Sequence, residues 1–240
     1  MKMNATAVKG RPILFSGPMV RAILEGRKTQ TRRIVKLDAE LKARGCTSLK
    51  GSWRDPGLGA GAYLKVPGPH ETAHRLYCPH GYRGDQLWVK ETWTAENVVN
   101  RQILVVYRAS CFRDEFDLIN GDGSVDRATV KRWKPSIFMP REWSRIILEI
   151  TNVRVERLKE ITTSDAVAEG VGQKEYAARH NASEGPALKR LCALAQHYGQ
   201  PIAAYADLWN SLNAERGFGW EKNPWVWVIE FKRIRREDLR

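Results

Sequence analysis

Along residues 144–158 apolar side chains recur with the two-residue rhythm of a strand. Ile146, Leu148 and Ile150 alternate against Ile147, Glu149 and Thr151, and Val153 and Val155 then continue with switched parity. A long strand with a bulge or bend near Thr151 is predicted. Residues 225–231 predict a terminal strand with Trp225, Trp227, Ile229 and Phe231 on one face and Val226, Val228 and Glu230 on the other. Residues 103–107 (Ile-Leu-Val-Val-Tyr) are continuously apolar and β-branched, as in a buried strand. Residues 12–15 predict a first strand and residues 87–93 another. In the latter, Trp88 and Trp93 differ in parity, so alternation turns at most one of them inward.

A helical period takes over elsewhere. In residues 18–25, Val20, Ile23 and Leu24 share a face; Ser16 and Gly17 can cap this helix, Pro18 suits its first turn and Gly26 its left-handed stop. Residues 163–170 form a short helix that Thr162 or Thr163 caps and Gly170 ends. Residues 187–197 are helical, and residues 202–212 are amphipathic, with Tyr205, Leu208, Trp209 and Leu212 on one face. Strands and helices so mixed predict an α+β fold.

Three stretches carry no sustained period and are expected as insertions into a single domain spanning residues 1–240, at about 37–83, 108–132 and 172–200. The first is punctuated by glycine and proline and reads as irregular, with a short helix near residues 39–44. The second is a hairpin or loop about Asn120-Gly121-Asp122-Gly123. Lys134 to Arg141 holds two prolines and is expected to run extended along a site.

Composition adds a partner. The 240 residues include 40 Lys and Arg against 27 Asp and Glu, a net charge of +13. That excess favours a polyanion, most simply a nucleic acid. The hydrophobic fraction of 42% suffices for a real core. Four widely spaced cysteines and no long apolar run predict a reduced, cytoplasmic protein without a membrane partner. His74, Cys78 and His80 do not have a zinc spacing, so no metal and no cofactor is expected.

The densest chemistry is Gly26-Arg27-Lys28-Thr29-Gln30-Thr31-Arg32-Arg33, at a helix-to-strand corner. A lysine beside arginines, or desolvated, loses its proton more readily and can take one from Thr31. Glu169 sits at a helix C-terminus, where the dipole disfavours the carboxylate form and suits a proton donor. Lys28, Thr31 and Glu169 are therefore candidate catalytic residues for amide hydrolysis through an acyl-enzyme. The same segment also reads as a plain turn, with Lys28 and the arginines holding phosphate and Glu169 pairing with one of them. Arg27, Thr29, Arg32, Arg33, Trp88, Lys134 and Arg141 are candidate substrate or nucleic-acid contacts. Of Trp88, Trp225 and Trp227, at least two are expected in the core.

The Gly-Arg-Lys-Thr-x-Thr-x-Arg segment resembles the signature of ASCH domains, and Gly84 to Val89, Thr162 to Gly170 and Trp227 to Phe231 follow in the family's order. The phrases at residues 134–141 and 223–231 resemble enlarged ASCH proteins of phages and prophages. The resemblance implies a PUA-like mixed β-barrel with flanking helices. It implies as partner a modified nucleoside or a nucleic acid, RNA before DNA. Bacterial ASCH amidohydrolases acting on N4-acetylcytidine use lysine as base, a threonine three residues on as nucleophile and a glutamate as proton donor; carried over, these are Lys28, Thr31 and Glu169. Regular strand alternation puts Lys28 and Thr31 on opposite faces, so one site can hold both only if Lys28 precedes the strand, as the resemblance implies. Those enzymes are less than half this length. A non-catalytic module reading modified bases in RNA or DNA, and a ribonuclease, are the alternatives.

Overall fold

The computed structural model describes residues 10–36, 49–55, 59–66, 72–98, 102–111, 115–119, 125–130 and 132–235. In chain order the strands are β1 (Gly10–Leu14), β2 (Gln30–Ile34), β3 (Leu49–Asp55), β4 (Gly59–Val66), β5 (Thr72–Tyr77), β6 (Gln86–Lys90), β7 (Trp93–Val98), β8 (Gln102–Tyr107), β9 (Glu115–Ile119), β10 (Val125–Thr129), β11 (Ile147–Arg157) and β12 (Trp225–Ile234). The helices are α1 (Gly17–Leu24), α2 (Thr163–Ala168), α3 (Gln173–Ala182), α4 (Gly185–Tyr198) and α5 (Gln200–Asn213). The fold is thus α+β. No described helix is long and apolar enough to cross a membrane. The chain divides into two compact units, residues 1–25, 86–148 and 233–240, and residues 26–85 and 149–232.

In the first unit β1 pairs in parallel with β6, Gly10 opposite Gln86 through Leu14 opposite Lys90. Ile13, Leu87, Val89, Ile146 and Leu148 are buried at this sheet. β7 and β8 form one antiparallel hairpin and β9 and β10 another. The second is the hairpin expected between residues 108 and 132; its Asn120–Gly123 turn lies outside the described residues. The single strand expected over residues 87–93 is instead two, β6 and β7, broken at Glu91 and Thr92. The cause is local. Arg145 donates from Nε and Nη2 to the two Glu91 carboxylate oxygens at 2.8 Å each, and the Glu91 N–H donates to Met139 Sδ, so this residue leaves the ladder. Trp93 is buried and Trp88 half-buried, each now on its own strand.

In the second unit β12 lies between β11 and β2. Its pairing with β2 is antiparallel, with Glu230 opposite Gln30, Ile229 opposite Thr31 and Val226 opposite Ile34. Ile150 and Val153 are both buried, which confirms the parity change at Thr151. Leu158, Ile161, Ala166, Ile202, Tyr205, Trp209, Trp220, Val226 and Val228 make one apolar cluster. Helix α5 buries Ile202, Tyr205, Ala206 and Trp209, and its buried stripe leaves Leu212 exposed, contrary to the expected face. Among the described residues, neither unit's strands close into the expected barrel; their orders run open from end to end.

Two stretches are more regular than their sequences suggest. Residues 49–77 hold an antiparallel sheet, β3-β4-β5, where irregular chain is expected. The prolines and glycines at 56–57 and 67–69 fall between its strands, so they punctuate a sheet rather than exclude one. The helix expected at residues 39–44 lies outside the described residues. Helix α3 has no counterpart among the expected elements, because its sequence has no apolar stripe and it buries no residue fully.

Candidate active site

The corner after α1 is fixed before any side chain acts. Gly26 has φ +73°, a left-handed conformation that glycine adopts without strain. Lys28 precedes β2 and forms an isolated antiparallel bridge with Glu169. The Thr29 N–H donates to Ala168 O at 2.8 Å, and Thr29 O accepts from the Phe231 N–H at 2.8 Å. Residues 28 and 29 are thereby clamped between the end of α2 and β12. From the other side, Thr162 caps α2, its Oγ1 accepting from the Asp165 N–H at 3.1 Å. Gly170, at φ +83°, ends the turn, so Glu169 occupies the C-cap.

Two residues 141 apart in sequence then meet. Lys28 Nζ donates to Glu169 Oε2 at 2.7 Å, to Glu169 O at 3.0 Å and to Gln30 O at 2.7 Å. Three acceptors thus face the three hydrogens of an ammonium. Lys28 is 2% exposed and Glu169 5%. Burial pushes the Lys28 pKa below lysine's ordinary value; Glu169 opposes that shift, while Arg33 and Arg32 add to it.

A larger charge network surrounds the pair. Arg32 reaches Glu156, Asp165 at 3.2 Å and Glu169 Oε1 at 3.3 Å. Arg154 donates to Asp165 Oδ1 at 2.7 Å, to Glu156 Oε2 at 3.1 Å and to Glu230. Three cations therefore meet four carboxylates. Arg33 adds positive charge close to Glu169; burial lowers its pKa while Glu169 and Tyr205 oppose. For Arg32, burial works against the charge, yet Glu169, Tyr205 and Glu156 hold its pKa above the ordinary value. For Asp165, burial works upward, but Arg32, the Thr162 N–H and Arg154 bring it below the usual carboxylate value. Burial, and then Glu169, raises the Tyr205 phenol well above its ordinary value, and the Arg32 guanidinium lies 5.9 Å from that ring. The Gln30 side-chain N–H₂ and Arg32 Nε–H are buried without a hydrogen-bond partner, each a cost of about 1–3 kcal/mol.

The predicted residues divide into groups. Lys28, Glu169 and Arg32 are in direct contact. Thr31 is buried, but alternation and its pairing with Ile229 turn it to the face opposite Gln30 and Glu230, both of which Arg154 contacts. Arg27 is exposed and donates to Gly170 O and Glu175 Oε1. The Thr29 side chain is exposed. Trp88, Lys134 and Arg141 belong to the first unit: the Lys90 ammonium lies over the Trp88 ring and that of Lys134 over the Trp93 ring, at 5.2 and 4.7 Å. Of the three tryptophans weighed as core, Trp227 is buried, and Trp88 and Trp225 are half-buried. Sequence reading missed Arg154, Glu156 and Glu230 as site residues, and it used Asp165 only as part of a helix. Their signal was a charge set inside an apolar strand pattern, repeated at 154 and 156 on one face of β11.

Comparison with known proteins gives a weak likeness. No family model and no curated protein matches the chain. Among solved structures, the ASCH domain from Lactobacillus crispatus JV V101 is similar over 94% of this chain and 79% of that one, with 12% identity and a TM-score of 0.36. A TM-score that low does not show a common fold.

Proposed function

We propose that the chain is an ASCH-type protein that binds a modified pyrimidine, free or within a nucleic acid, and hydrolyses an amide on it, as on N4-acetylcytidine. The observation that carries this reading is the buried contact between Lys28 and Glu169. The motif resemblance assigns base and acid to these two residues, and the pair is desolvated, with burial lowering the Lys28 pKa from its ordinary value. Neutral Lys28 accepts the Thr31 hydroxyl proton as the oxygen adds to the acyl carbon. The C–N bond breaks as protonated Glu169 gives its proton to the leaving amine. Water then hydrolyses the acyl-threonine. In this scheme Thr31 must turn toward Lys28 when substrate binds.

The orientation of Thr31 beside Ile229 favours a second reading, a module that binds modified bases without cleaving them. Cytidine release from N4-acetylcytidine by the wild type, Lys28→Ala and Thr31→Ala separates the two. Release that both variants lose supports the deacylase. Folded wild-type protein that releases none removes this substrate and leaves the binding module.

A further inference from the structure

The first unit carries an exposed structure that the chemistry at Lys28 does not use. Residues 135–140 form a rigid tip. Pro135 and Pro140 flank a single 3₁₀ turn, Ser136–Phe138. The Phe138 N–H donates to Pro135 O, and the Met139 N–H to Ser136 O, at 3.1 Å each. Lys90 Nζ donates to Ile137 O at 2.6 Å. Met139 plugs inward, 2% exposed, its sulfur accepting from the Glu91 N–H. So anchored, the tip holds Ile137 60% and Phe138 70% exposed, among the most exposed large apolar side chains described. Their exposure follows from construction, not from looseness.

The chain on either side of this tip is basic. Residues 132–145 contain Arg132, Lys134, Arg141 and Arg145 against one acid, Glu142. Glu91 neutralises Arg145. Arg132, Lys134 and Arg141 are exposed. Arg141 lies against Gly10, where a Cβ would come within 2.8 Å of Nη2. Half-buried Trp88, with Lys90 over its ring, lies in the same unit. An exposed aromatic and apolar pair with cations on either side of it in the chain matches the bases and phosphates of a single strand: aromatic rings stack on bases of any sequence, and cations follow the backbone.

We infer that this tip is a docking site for a single-stranded polynucleotide, with Phe138 stacking on an unpaired base, Ile137 packing beside it and Arg132, Lys134 and Arg141 contacting phosphates. A duplex offers such contacts only after unstacking, which costs a few kcal/mol per step. The inference goes beyond the deacylase reading and stands without it, because it concerns polymer binding and not turnover.

Fluorescence anisotropy with labelled oligouridylate and oligodeoxythymidylate of about a dozen nucleotides tests it, alongside a duplex of equal length. Phe138→Ala is expected to weaken single-strand binding roughly 5- to 150-fold, the span of one lost base stack. Lys134→Ala and Arg141→Ala are each expected to reduce the salt slope by about 0.7. Phe138 makes too little buried contact for its loss to unfold the protein, and circular dichroism checks this. Turnover of free nucleoside should be unchanged in Phe138→Ala, which separates this test from that of the catalytic reading. Failure of either oligonucleotide to bind, unchanged affinity in Phe138→Ala, or a duplex preference that Phe138→Ala leaves intact would each overturn the proposal.

Discussion

Around Lys28, cations and carboxylates fold inward and neutralise one another: Lys28, Arg32 and Arg154 share Glu156, Asp165, Glu169 and Glu230. Beside Phe138 in the chain, Arg132, Lys134 and Arg141 are exposed, and no carboxylate among the described residues pairs with them. Both regions are rich in basic residues, and sequence alone treats their charges alike. The difference lies in what the neighbouring elements supply. β11, β12 and α2 bring carboxylates to the first region, whereas the second is bracketed by prolines and, among the described residues, no carboxylate pairs with its Arg132, Lys134 or Arg141. A basic residue is a plausible phosphate ligand only where its own protein has not already supplied the anion. By that test Lys134 and Arg141 qualify as candidates better than Arg32 does.

The comparison breaks most sharply at Glu169. Glu169→Ala leaves buried Lys28 and Arg32 short of a carboxylate and is expected to destabilise the protein by about 3–5 kcal/mol, read from urea unfolding. Glu169→Gln keeps an acceptor there and should lose less. If both variants unfold at the wild-type midpoint, the inward network does not contribute to stability.

The next effect depends on pH. The Lys28 pKa is lower folded than unfolded, so the unfolded chain holds more protons between those two values, and this residue's contribution to stability rises as pH climbs through that window. Subtracting the urea midpoints of Lys28→Met from those of the wild type, pH by pH, should show a difference that favours wild type increasingly toward alkali. A flat difference would contradict the shift. Asp165 acts at the other end: its folded pKa is below the unfolded one, so its stabilisation is present above the ordinary carboxylate value and fades as pH falls through the lowered one.

A smaller effect is expected at the cap that holds Glu169 in place. Thr162→Ala removes the bond to the Asp165 N–H and should cost about 1 kcal/mol. The smallest effect belongs to the outward region. Phe138→Ala and Lys134→Ala should change stability by no more than about 0.5 kcal/mol, because neither side chain is buried. A large loss in either would mean that the tip is structural rather than a surface for a partner.

Much of the fold was legible where one period ran long. The alternation over residues 144–158 gave β11 and its change of parity, and the capping residues gave α1 and α2. Residues 49–77 misled because glycine and proline mark strand ends as readily as they mark coil. Break points such as Glu91 were hidden because the cause, a bidentate Arg145, lies 54 residues away in sequence. The site was half legible. The spacing of Thr162 and Glu169 drew attention to the carboxylate that meets Lys28, and the corner drew attention to Lys28 itself. Arg154, Glu156 and Glu230 stayed hidden because a charge in an apolar strand pattern reads as solvent-facing until a partner for it is known. Alternation alone already set Thr31 on the face opposite Lys28, but its partner Ile229 required the strand's register, which a single sequence does not contain.

The clamp between residues 28–29 and the end of α2 also bears on how the protein assembles. Its two halves are brought together only after β2, α2 and β12 have all found their places, and until then Lys28 and Glu169 remain hydrated. Closing so long a loop and stripping water from two charges both favour a late event. Conservative substitution at Lys28 should therefore accelerate unfolding and leave the refolding rate nearly unchanged, a φ-value near zero by stopped-flow kinetics. The pair that gives the proposed site its chemistry would then act as the last latch to close in folding and the first to open.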